Sequence, residues 1–226
     1  MNLIVGDSHS LWITFKDSIH LLCSAGSAKG LNNPNSISQY NKTIIENIAN
    51  NSYKNIFFLF GGVDTDFVFI HKYLENPQIN YVDFNLDVIK NYLNFIITNF
   101  YDKSVIILSA GLPCLDDENL KKGLLNGHIN HLENKDLTDL ENNLSKANLP
   151  NIYDRTKITL NFNTQLENEI TLLQNPNIKY LDITSFTYDN NLNRIIDPYF
   201  SRLDHHNYQR NATFTEIIEK FLDGHN

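Results

Sequence analysis

The chain has 226 residues, of which 42% are hydrophobic and 19% charged, and its formal net charge is −8. That length allows one medium domain with a full core or two small ones, and the ordinary apolar content excludes a disordered chain. The excess of acid over base excludes a duplex nucleic-acid binder, which needs a basic face to displace phosphate counterions, and two cysteines are too few for a disulfide scaffold.

Five short apolar runs read as buried strands, in order Leu3 to Val5, Ile19 to Cys23, Ile56 to Phe60, Val105 to Leu108 and Ile178 to Ile183. Segments of helical period lie between them. Leu86, Ile89, Leu93, Ile96, Ile97 and Phe100 form one apolar stripe, and Ile158, Phe162, Leu166, Ile170 and Leu173 form another. A final helix is expected from about Thr213, where Thr213 and Glu216 match a capping box and Phe214, Ile217, Ile218 and Phe221 face inward. Strands alternating with helices predict an α/β fold, a parallel sheet covered on both faces. No linker divides it, so residues 1–226 read as one domain. The stretch 116–150 is polar, acidic and punctuated by Leu, which predicts an insertion or lid. Asn fills about one position in seven and reads as compositional background.

The N-terminus has no basic n-region and no run approaches the length of a membrane span. Cys23 and Cys114 sit in no metal-ligand spacing, and no HExxH pattern occurs. The expectation is a soluble cytoplasmic protein with two reduced thiols, no metal, no lipid anchor and no nucleic-acid partner. The sequence says nothing about oligomeric state.

Three clusters carry possible chemistry. The first strand runs into Gly6-Asp7-Ser8-His9-Ser10, so a serine stands at the carboxyl edge of the sheet, where open α/β folds bind ligands. Gly6 permits the tight turn. The plainer reading is that Ser8 or Ser10 caps the next helix. Gly61-Gly62-Val63-Asp64 and Ser24-Ala25-Gly26-Ser27 also follow strands, and such turns let backbone N–H groups face a ligand, although neither has P-loop spacing. Near the far end, Asp204-His205-His206 could supply a base and the carboxylate that orients it. The plainer reading there is a solvated loop.

These features, in this order, resemble the SGNH (GDSL-like) hydrolase superfamily. Gly6-Asp7-Ser8 is similar to its GDS block, Gly26 stands where its second block has a glycine, Gly61-Gly62-Val63-Asp64 resembles its GxND, and Asp204 with His206 resembles its closing DxxH. The resemblance implies a flavodoxin-like three-layer α/β/α sandwich with a five-stranded parallel sheet. It implies Ser8 as nucleophile, His206 as base, Asp204 as its partner, and the Ser8 and Gly26 N–H groups as the oxyanion hole, with no cofactor. The implied reaction is hydrolysis of a small or carbohydrate O-acyl ester. An O-acyltransferase on the same scaffold and a weakly active carbohydrate-associated accessory protein are the alternatives. Asp7, His9, Gly62, Asp64 and His205 are candidate substrate contacts. Two departures stand out. Val63 replaces the oxyanion Asn, and Asp204 stands two residues before His206 rather than three, which makes His205 a competing base. Thr65, or an N–H of the Gly61-Gly62 turn, is the expected substitute for the missing donor.

Overall fold

The computed structural model describes residues 1–125, 144–197 and 212–224. Strands β1 (Asn2–Gly6), β2 (Ser18–Leu22), β3 (Ile56–Leu59), β4 (Val105–Leu108) and β5 (Ile178–Leu181) form one sheet in the order β2-β1-β3-β4-β5, and every pairing is parallel. All five predicted strands are present. Helices α1 (Tyr40–Asn50), α2 (Phe69–Glu75), α3 (Tyr81–Phe100), α4 (Asp117–Leu125), α5 (Ile152–Leu173) and α6 (Ala212–Asp223) connect or follow them. A small antiparallel pair, β6 (Tyr188–Asp189) and β7 (Arg194–Ile195), follows β5.

Alternation along the strands divides the core between the two faces. Leu3, Val5, Phe58, Val105 and Ile107 pack under α1, α3 and α5 through Ile44, Ile48, Ile89, Ile96, Phe162 and Leu166. Ile4, Phe57, Leu59, Ile106 and Leu108 face the other way, onto Trp12, Ile13, Ile195 and the Phe214 and Ile218 of α6. A third cluster, Phe67, Phe69, Ile70, Leu115, Leu120, Leu124, Leu144 and Ile158, ties α4 to the body. Two details differ from expectation. β2 is an edge strand and not a fully buried one, since Ile19 and Leu22 are exposed. The last helix already includes Ala212, which places Thr213 inside its first turn and not at its cap.

Asn residues start the two long helices. Asn80 accepts the Val82 N–H (2.9 Å), and Asn151 accepts from Tyr153 and Asp154 while Asp154 bonds back to the Asn151 N–H. Among the described residues no helix is long and apolar enough to cross a membrane.

Candidate active site

The strand order reverses between β1 and β3, so the crevice at their carboxyl ends is the topological switch point. Gly6 is level with Leu22 on one side and Leu59 on the other. The register therefore brings Ser8, the Ser24–Gly26 turn and Gly61–Val63 to one edge of the sheet.

Ser8 opens a 3-10 turn, Ser8–Trp12, and is the only residue between Asn2 and Ser10 that is not buried. The cap of this turn is Asp7, whose Oδ1 accepts the His9 N–H at 2.8 Å. Ser10 is buried and donates its hydroxyl to the Asp7 carbonyl (2.7 Å). Capping thus falls to Asp7 and leaves neither serine that part. Gly6 could be no other residue here, because a Cβ would lie 2.6 Å from Ser10 Cβ and 2.7 Å from the Leu59 carbonyl.

Asp7, read from sequence as a candidate contact, is fully buried. The same Oδ1 also takes the His9 ring at Nδ1, again at 2.8 Å, which fixes the imidazole with its Nδ1–H toward the carboxylate. The ring packs edge-on to Trp12 (centroids 5.0 Å apart) and lies against the Gly62 turn. Oδ2 of Asp7 is buried with no hydrogen-bond partner among the described residues. Burial, and then the charge of Asp7, push the Cys23 thiol up to about 12, so Cys23 is no nucleophile.

At the end of β3, Gly61 adopts φ +111°, and a Cβ there would meet Phe162 Cε1 at 2.5 Å. Only glycine satisfies both conditions. The helical run that follows, with a π-turn over Asp64–Val68, leaves the Gly62 and Val63 N–H groups in its first turn, where helices have no internal acceptor. Thr65 is no substitute for the missing Asn. Its hydroxyl is buried, donates to the Gly61 carbonyl (3.0 Å) and accepts from Thr159 (3.0 Å). At the end of β4, the Asn163 side chain grips Ala110 through both its N–H (2.8 Å) and its carbonyl (3.0 Å).

Two further sequence expectations change. Asp64 is fully buried and makes no approach to the crevice. Its carboxylate accepts the N–H groups of Ala28 (2.6 Å) and Lys29 (3.3 Å) and so fastens the β2 loop to the end of β3. Gly26, expected in the oxyanion hole, gives its N–H to the Cys23 carbonyl (2.8 Å) and has no donor left for an oxyanion in this conformation. Gly62 follows β3 and lies against the His9 ring. Asp204, His205 and His206 lie outside the described residues.

Burial raises the Asp64 pKa from 3.8 to about 7, against the pull of the Ala28 and Lys29 N–H groups. The folded chain therefore holds a proton there that the unfolded chain releases. The stability this proton gives is complete below about pH 4 and is lost as pH rises through about 7. Asp64→Asn is expected to flatten that fall, measured as urea midpoints between pH 4 and 8.

Sequence reading missed one buried charge. Arg155, in the first turn of α5, is wholly enclosed and bonds Asp66 (2.7 Å), Asp117 (3.0 Å) and the Leu115 carbonyl (2.7 Å). Burial works against its charge, and the two carboxylates more than offset this and raise its pKa.

No protein-family model matches the chain, and no curated protein matches it. Its fold, however, is that of solved GDSL-like and acylhydrolase structures. It is similar to a candidate acylhydrolase of Bacteroides fragilis, with TM-score 0.55 and 10% identity over 99% of this chain and 86% of that one. It is also similar to a GDSL-like lipase of Bacteroides thetaiotaomicron, with TM-score 0.54 and 10% identity over 100% and 88% of the two chains.

Proposed function

We propose that the chain is an acyl-transferring serine enzyme, an esterase or deacylase that acts on a small or carbohydrate O-acyl ester through an acyl-Ser8 intermediate. One observation carries the reading: Ser8 alone opens to solvent in an otherwise buried run, on a turn held by Asp7, at the switch point of a GDSL-type fold. In this mechanism His206 takes the Ser8 hydroxyl proton as Oγ bonds to the ester carbonyl carbon, and Asp204 holds the imidazole. The carbonyl π electrons move onto oxygen and return as the C–O bond to the alcohol breaks, and His206 hands the proton to that alcohol. Water then repeats the sequence and releases the acid. If a sugar hydroxyl takes the place of water, the same intermediate gives an acyltransferase.

The Val63 side chain carries no donor and the Gly26 N–H is spent on the Cys23 carbonyl, so the oxyanion needs other donors. The Gly62 and Val63 N–H groups, at a helix start, supply them alongside Ser8. Two buried, unlinked cysteines suit a cytoplasmic setting. A fluorophosphonate probe tests the proposal. The expected result is one adduct per chain on the peptide that contains Ser8, lost in His206→Ala and kept in His205→Ala. An unlabelled wild type, beside a serine esterase that labels, would overturn covalent catalysis. The reverse pattern at the two histidines would transfer the base to His205.

A further inference from the structure

Beside the crevice lies a cavity of about 800 Å³, bounded by the Ser24–Ser38 segment, the first turn after β3 and Asn91 of α3. This is the size of a small-molecule site. Gly26 and Val63 stand in its wall, so it opens beside the sheet edge that carries Ser8.

The chemistry of the wall restricts what fits. Its charged side chains are Lys29 and Asp64. Lys29 is paired to Asp87 at 2.5 Å, and Asp64 is turned onto the Ala28 and Lys29 amides. Neither an anionic nor a cationic ligand finds an unmatched charge. More of the wall is apolar than polar; its uncharged polar groups are amides and hydroxyls, and some of these are held in place. Asn32 donates to Asn91 (3.1 Å) and accepts from Asn94 (3.2 Å), while Asn91 donates to the Asp87 carbonyl (2.8 Å). The Asn91 amide N–H groups also reach the Asp87 carboxylate (3.3 Å), so what these bonds leave is one N–H on Asn32 and a lone pair on each of the two amide oxygens. Tyr40 is tied to the Ser24 carbonyl by its hydroxyl (2.9 Å), and Ile37 stands 67% exposed at the lip. Fixed amides beside an aromatic ring and an exposed aliphatic side chain match the mixed faces of a sugar, with hydroxyls on its edge and C–H groups on its flat side.

From this we infer that the cavity is a subsite for an uncharged glycosyl unit, the alcohol part of the ester or the acceptor of the acyl group. The inference rests on Ser8 as the nucleophile, and the test keeps the two apart. Saturation-transfer NMR on the Ser8→Ala protein with methyl 6-O-acetyl-glucopyranoside should show transfer to the ring protons. The added Asn91→Phe, which fills the cavity from α3, should abolish that transfer, and so should Asn35→Trp at the exposed lip. In chains that keep Ser8, both substitutions should leave p-nitrophenyl acetate hydrolysis unchanged, which also shows that they fold. They should raise KM for the acetylated glycoside about tenfold or more, the worth of one or two hydrogen bonds. Ser8-dependent hydrolysis of p-nitrophenyl acetate with no transfer to the glycoside would overturn the subsite and keep the nucleophile. Transfer that survives both substitutions would also overturn it. Transfer that both substitutions abolish, in a chain without Ser8-dependent turnover, would keep the subsite and overturn the nucleophile.

Discussion

Arg155→Ala is expected to destabilise the fold by about 3–5 kcal/mol, the range for breaking a buried ion pair by removing one partner. The reason lies less in the lost attraction than in what is left behind. Asp66 stays buried with its charge uncompensated, and the Leu115 carbonyl loses its donor. A chain of this size loses about 2–4 °C per kcal/mol, so the melting temperature should fall by roughly 10 °C. The paired change Arg155→Met with Asp66→Leu should recover most of the loss, because the only charge left without its partner is that of Asp117, which is half exposed to water. A fall no larger than 1 °C in the single variant would mean that Arg155 is not enclosed as described. The same network joins the start of α4 to α5 and the turn after β3, so the single variant should also expose 116–125 to proteolysis before the rest.

Arg155 also shows where sequence reading stopped. Strands β1, β3 and β4 were legible because each centres on a short, unbroken apolar run, as buried parallel strands do, whereas the edge strands β2 and β5 carry His20 and Lys179 within otherwise apolar runs. The long helices were legible from their stripes. Arg155 falls on one of those stripes, three residues after Ile152, three before Ile158 and seven before Phe162. A charge at such a position needs a buried counter-charge, which Asp66 supplies. The spacing was the signal, and no sequence rule names the partner across 89 residues. Asn was misread in a related way. As composition it is background, yet Asn80, Asn151 and Asn163 cap two helices and clamp Ala110. Helix α1 escaped notice because its buried stripe amounts to Ile44 and Ile48. At the site, the strand ends were enough to set Ser8 and the Gly61–Gly62 turn at one edge of the sheet. Which N–H groups remain available was not legible, since that depends on local bonds such as Gly26 to Cys23.

Ser8→Ala is expected to lower kcat toward p-nitrophenyl acetate by about a millionfold, the usual result of removing a serine nucleophile whose base then has nothing to activate. Ser10→Ala is the control that gives this number meaning. Ser10 also follows β1, but its hydroxyl is spent on the Asp7 carbonyl, so its loss should cost about 1 kcal/mol of stability and leave turnover intact. Equal losses in the two variants would mean that the turn, not the hydroxyl, was damaged. Val63→Asn then asks how complete the oxyanion hole is. Val63 is nearly buried at the start of a helical run, where an Asn side chain would stand beside the N–H groups of Gly62 and residue 63. One well-aligned donor is worth about a hundred- to a thousand-fold in rate. A gain approaching that size would show that the native hole lacks a donor and that the enzyme is slow by construction. No gain, with Ser8 still essential, would show that the backbone of the Gly61–Gly62 turn already meets the oxyanion. The fold then needs no Asn at this position, because the helix start offers the same hydrogen bonds from the main chain.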